Sequence, residues 1–164
     1  YTYISVVLER VQVDTIPGMW IWGIGGAVGA FGIGRVLDKV DSSRKLTTII
    51  IVLLAADFAL LLLFPSSRMV ALVCLFAWGL LGWSSMAPQQ HSMLSANPDE
   101  GATAVAANAS ANYLGSAVGS AVGGLFLPSS TGILLGALFV VLLGIVCSIG
   151  ARALSFLKPR DNEN

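Results

Sequence analysis

The chain has 164 residues, 55% of them hydrophobic and 11% charged, with nine basic and nine acidic side chains and no net charge. A soluble domain carries about 25% charged residues, and the mean hydropathy here is +0.81. These figures exclude a water-soluble domain, and the absence of any basic excess excludes a nucleic-acid partner.

Residues 1–11 are apolar with Glu9 and Arg10 near their end. They are too short to cross a bilayer and read as the tail of a truncated transmembrane helix. With no starting methionine and no signal-peptide pattern, the chain reads as a piece of a longer protein. Five long apolar stretches follow, within residues 12–156, at about 17–36, 46–64, 69–94, 102–127 and 132–156. A helix rises about 1.5 Å per residue, so about 20 residues cover a hydrocarbon core of roughly 30 Å. The expected fold class is therefore all-α, a polytopic transmembrane helical bundle. Residues 157–164 read as a polar tail.

Lys and Arg collect on the cytoplasmic side of membrane proteins. Arg35, Lys39, Arg44 and Lys45 lie between the first two full spans, and Arg152, Lys158 and Arg160 lie at the C-terminus. One alternation of five spans puts all seven inside and leaves only Arg10 and Arg68 outside. The C-terminus is expected to be cytoplasmic and the protein to sit in a plasma (cell inner) membrane. The 97–100 loop, also inside, has no base.

The first full span carries Gly23, Gly25, Gly26, Gly29, Gly32 and Gly34. By its letters it echoes a dinucleotide-binding string, but no strand precedes it, so that reading is rejected. Gly25 and Gly29 are expected to let another helix approach. The second span holds the one intramembrane acid, Asp57. A carboxyl at that depth marks a functional group or a buried structural partner, so Asp57 is a candidate proton site.

In the third span Trp78-Gly79 is followed by Ser85, Pro88, Gln89, Gln90 and His91. Pro88 cannot donate to the Ser84 carbonyl, so a kink is expected there. Gln89 and its neighbours either rest at the interface or line a solute path. His91, the single histidine, is a second candidate proton site.

The fourth span presents three faces. Ala107, Ala111, Gly115, Gly119 and Gly123 form a small-residue stripe, expected to pack a helix. Asn108, Asn112, Ser116 and Ser120 run beside it as a polar stripe that either bonds neighbours or faces a water-filled path. Leu114, Val118, Val122 and Phe126 are bulky.

Cys74 and Cys147 sit within apolar spans and read as buried, inert thiols. No metal-ligand spacing, paired carboxylates or nucleophile–base set appears, so no cofactor, no metal and no enzymatic activity are expected.

The turn after the first full span reads Gly34-Arg35-Val36-Leu37-Asp38-Lys39-Val40-Asp41-Ser42-Ser43-Arg44-Lys45. It resembles the G-x-x-x-D-[RK]-x-G-x-[RK]-[RK] signature of the major facilitator superfamily. Asp41 stands where the pattern has Gly, and one residue is inserted before Arg44. Both departures suit the degenerate second copy of that signature, between helices eight and nine. Asp38 is expected to cap or pair near the next helix N-terminus. Trp78-Gly79 with Pro88-Gln89-Gln90 looks like helix ten of the drug and sugar efflux branch. Asn108, Asn112, Gly115, Gly119, Gly123 and Gly124 look like helix eleven, similar to the arabinose-efflux-permease group.

The resemblance implies a C-terminal half, from late helix seven through helix twelve, that packs against an N-terminal six-helix half around a central cavity. It implies secondary active efflux of a small organic solute by alternating access, by proton-coupled antiport. The partners it implies are the lipid bilayer, the N-terminal half, the solute and protons. Trp78, Ser85, Gln89, Asn108 and Asn112 are the expected cavity or gate contacts. Gly34, Asp38, Lys39 and Arg44 are the expected cytoplasmic gate turn. The competing expectation is a non-transporting membrane partner, or an inactive half-transporter, docking through its glycine stripes.

Overall fold

A computed structural model describes residues 2–96, 98–127 and 129–157, with side chains as far as residue 150. All its regular elements are helices: α1 (Ile4–Arg10), α2 (Thr15–Leu37), α3 (Ser43–Leu63), α4 (Arg68–Ser84), α5 (Met86–Ala96), α6 (Gly101–Gly124) and α7 (Ser130–Leu157). α4 and α5 follow each other as one interrupted span, Arg68–Ala96.

Four of the spans are long and apolar enough to cross a membrane: Thr15–Leu37, Ser43–Leu63, Arg68–Ala96 and Ser130–Gly150. The remaining stretch, α6, is not in that set. α6 has the length, at 24 residues, but Asn108, Asn112, Ser110, Ser116, Ser120 and its glycines dilute its hydropathy. A helix of that composition needs protein neighbours or water along part of its surface. The outer surface of the bundle is otherwise apolar, with Phe31 84% exposed and Leu125 82% exposed. Side chains of that kind facing outward belong in lipid, not water.

α2 packs along α4, α3 packs on both α4 and α7, and α5 lies between α3 and α6. One core joins Val7, Leu8 and Val13 of the first segment to Phe58, Leu61, Leu75 and Leu134. A smaller one, Ile33, Leu46 and Ile50 with Leu37, Val40, Leu81 and Ala87 around it, supports the turn between α2 and α3. A hydroxyl pair, Thr48 with Ser148 at 3.0 Å, joins α3 to α7.

The α2–α4 contact depends on missing side chains. A methyl at Gly25 would overlap the Phe76 carbonyl, one at Gly29 the Leu80 carbonyl, and one at Gly79 the Trp22 carbonyl. Gly26 lies under the Trp83 ring, which meets Trp22 edge-on at 6.4 Å. Gly25 and Gly29 thus lie against the α4 backbone, and Gly79 is the glycine that meets α2 from the opposing helix.

α1 ends in a tight reversal. Val13 donates its N–H to the Leu8 carbonyl at 3.1 Å and Gln12 to the Glu9 carbonyl at 3.1 Å, the two bonds of a Schellman cap. Gln12 occupies its left-handed position, with φ 51°. Leu8 and Val13 supply the apolar contact that accompanies it.

Candidate functional site

A cavity of about 480 Å³ lies between the start of α1, α6 and α7. α6 contributes Gly115, Ser116, Val118, Gly119, Ser120, Val122 and Gly123, and Phe126 follows just after its end. α7 contributes Ile133, Leu134, Gly136, Ala137 and Val140. Phe58 of α3 and Trp78 of α4 reach it from the opposite side. Their rings meet edge-to-face, with centroids 5.3 Å apart and planes at 75°, a favourable quadrupole arrangement.

The polar groups are few and sit toward one wall. Thr2 and Ser120 share a hydroxyl hydrogen bond of 2.9 Å. The Tyr3 hydroxyl donates to the Ser120 backbone carbonyl, and its ring covers Gly123 and Gly124. Ser116 adds one more hydroxyl. A volume of this size with mostly apolar walls and a few hydroxyls suits an organic molecule with an aromatic or aliphatic body.

Trp78 lines this cavity. Ser85, Gln89, Asn108 and Asn112 do not. The Ser85 hydroxyl donates to the Gly82 carbonyl at 2.7 Å, where the helix is interrupted. Gln89 is half-buried on α5, Asn108 half-buried and Asn112 exposed on α6. The polar stripe of α6 does enter the cavity, but at Ser116 and Ser120, one to two turns beyond the asparagines. Phe58, Tyr3 and Leu134 are further contacts. Their only sequence signal is apolar character in an apolar run, which singles out no position.

The glycines of the small-residue stripe on α6 differ in their surroundings. A methyl at Gly115 or Gly119 would meet nothing within 4 Å, so among the described residues no helix packs there and both face the cavity. Only Gly123 has a close neighbour, the Tyr3 ring.

The turn from α2 to α3 is built by two caps. Asp38 ends α2, its N–H bonded to the Gly34 carbonyl at 3.0 Å. Ser42, not Asp38, caps the start of α3, its hydroxyl accepting from the Lys45 N–H at 3.4 Å. The register decides this correction: Ser42 immediately precedes the first helical residue, where a short hydroxyl reaches the freed N–H groups. Gly34, Asp38, Lys39 and Arg44 are exposed, and space in front of Gly34 is open.

Neither candidate proton site faces the cavity. Asp57 is 5% exposed beside Cys74, and its Oδ2 has no hydrogen-bond partner among the described residues. His91 is exposed on α5, its Nδ1 2.8 Å from the Ser43 hydroxyl. Of the two thiols expected to be buried, Cys74 is buried and Cys147 is exposed on α7. Of the polar tail expected at 157–164, Leu157 ends α7 and residues 158–164 lie outside the described residues.

The comparison with known families agrees with this architecture. No solved structure matches the chain. The family model of the Major Facilitator Superfamily matches residues 1–120, from the first helix through most of α6. Members of this family are membrane transporters, in keeping with long helices that present apolar surfaces outward. With nearly three quarters of its length matched, the chain belongs to the Major Facilitator Superfamily.

Proposed function

We propose that this chain forms the C-terminal half of a secondary transporter that exports a small organic solute by alternating access, in exchange for protons. The cavity at Trp78 and Phe58 is the observation that carries the solute class. Its aromatic pair and apolar α7 wall fit a molecule with a hydrophobic body, and Ser116 and Ser120 offer hydroxyls to one polar group. In the proposed orientation the Asp38 turn and the C-terminus are cytoplasmic, in a plasma membrane, because Lys and Arg concentrate there. Gly34, Asp38, Lys39 and Arg44 hold that turn during rocking. An N-terminal six-helix half supplies the facing wall, and Ser85, Gln89, Asn108 and Asn112 contact solute or partner half at the mouth.

Proton coupling is the finer part of the proposal. Asp57 and His91 lie away from the cavity, which favours a coupling carboxyl on the N-terminal half.

The test is solute binding. Purified full-length protein titrated with hydrophobic organic cations and neutral drugs is expected to show a saturable change in tryptophan fluorescence, lost on Trp78→Phe. A change that survives Trp78→Phe moves the solute elsewhere.

One observation favours a second occupant. Thr2 and Tyr3 stand in the cavity wall, and Gly115 and Gly119 leave open space of the kind a helix fills. On this account the cavity seats a further transmembrane helix, and Gly119→Trp would unfold the protein rather than only block solute.

A further inference from the structure

The interruption between α4 and α5 divides one span into two arms. Ser84 is buried, 5% exposed. Pro88 has no N–H to return to its carbonyl, and the helix restarts at Met86. Beyond this joint, α5 is a short arm of 11 residues that packs on α3 and α6 and also touches α2. Two groups near its middle act in opposite directions. The Ser92 hydroxyl is buried with no hydrogen-bond partner among the described residues, so the packed position leaves a polar group unpaid for by any contact. Next to it, His91 Nδ1 meets the Ser43 hydroxyl at 2.8 Å. Ser43 is the first residue of α3, directly after the turn that Asp38 begins. The bond therefore ties the hinged arm to the one loop with the family signature.

We infer that His91 is a positioning residue: its hydrogen bond to Ser43 latches α5 against α3 at the signature-turn end of the bundle. With the bond made, α5 covers Ser92. With it broken, α5 tilts about the Ser84–Pro88 joint, Ser92 reaches water and that end of the bundle opens. The imidazole nitrogen needs no charge for this role, and an asparagine amide at the same position reaches the same hydroxyl. The inference deepens the transport reading and rests on it for the purpose of the movement, but not for the movement itself.

The experiment reads arm position without solute or gradient. Ser92→Cys is introduced into the full-length polypeptide in nanodiscs, where both membrane faces are open to a water-soluble maleimide. Labelling is counted above that of the same protein without the reporter. The reporter is expected to react slowly. His91→Ala and Ser43→Ala are each expected to speed it by about five- to tenfold, the effect of losing one net hydrogen bond. The double variant is expected to be no faster than either single one, because both remove the same bond. His91→Asn is expected to stay near the parent rate. An unchanged rate in both alanine variants, additive effects, or an asparagine variant as fast as alanine would each overturn the latch. Should His91→Ala fail to insert, Ser43→Ala makes the same cut from the α3 side. Solute flux measured on the same samples separates the two claims: fast labelling without any flux contradicts transport alone, and flux with a rate that no variant changes contradicts the latch alone.

Discussion

Gly79 of α4 lies against the backbone carbonyl of Trp22 on α2, with no room for a methyl group between them. Gly25 and Gly29 repeat the contact from the α2 side, against the carbonyls of Phe76 and Leu80. In lipid there is no hydrophobic drive between helices, so such backbone-to-backbone packing holds the pair together. Gly25→Ala, Gly29→Ala and Gly79→Ala are each expected to lower stability by about 1–3 kcal/mol, since neither helix backbone can yield. Gly23→Ala and Gly32→Ala, which would meet nothing within 4 Å, are expected to leave it unchanged or raise it by up to about 1 kcal/mol. Thermal midpoints of the purified protein in detergent check both sets. Equal effects from the two sets would contradict the close crossing.

Gln12 holds a left-handed conformation, φ 51°, that favours glycine. Gln12→Gly is expected to stabilise the α1–α2 corner by about 1 kcal/mol or less, the relief of strain being partly offset by a freer unfolded chain. The same thermal midpoint reads it. A destabilised variant would mean that the Gln12 side chain has a role of its own.

The helices themselves were largely readable from the sequence. Each apolar run is helical, the third as two segments, with outer ends within a few residues of those expected, because a bilayer demands a minimum length and loops must be polar. Pro88 announced the interruption, and the helix breaks just before it, at Ser85, since the lost bond is to Ser84. Less could be read wherever one residue type serves two purposes. Glycine stripes on α2 and α6 look alike in the sequence, yet Gly25 and Gly29 touch a backbone while Gly115 and Gly119 border open space. Small volume permits either outcome, and only the position of the opposing helix decides. Phe58 could not be singled out because nothing distinguishes it from other apolar residues of its run. Ser42 took the capping place expected of Asp38 because both are good caps, and a few residues of register choose between them.

Asp38→Asn removes the charge but keeps the shape of the residue that ends α2. If the turn holds the gate, transport is expected to fall by about tenfold, about 1.4 kcal/mol in barrier, with membrane insertion unchanged. Flux in vesicles set against the amount of inserted protein measures this. Wild-type flux would remove Asp38 from the gate.

Asp57 is buried beside Cys74, away from the cavity wall. Asp57→Asn is therefore expected to keep gradient-driven flux within about threefold of wild type, a barrier change below about 1 kcal/mol. Loss of the gradient dependence, with solute exchange intact, would make Asp57 the proton carrier after all.

The central claim is that the Trp78–Phe58 cavity carries an organic solute across the membrane. It is tested most directly by flux of a hydrophobic organic cation into proteoliposomes of the full-length protein under an imposed proton gradient, with and without Gly119→Trp. The account predicts saturable flux that stops when the gradient is collapsed, and loss of that flux in the folded Gly119→Trp protein, whose indole fills the cavity. Flux that persists through the filled cavity, or no gradient-driven flux for any organic solute offered to the wild type, would contradict it.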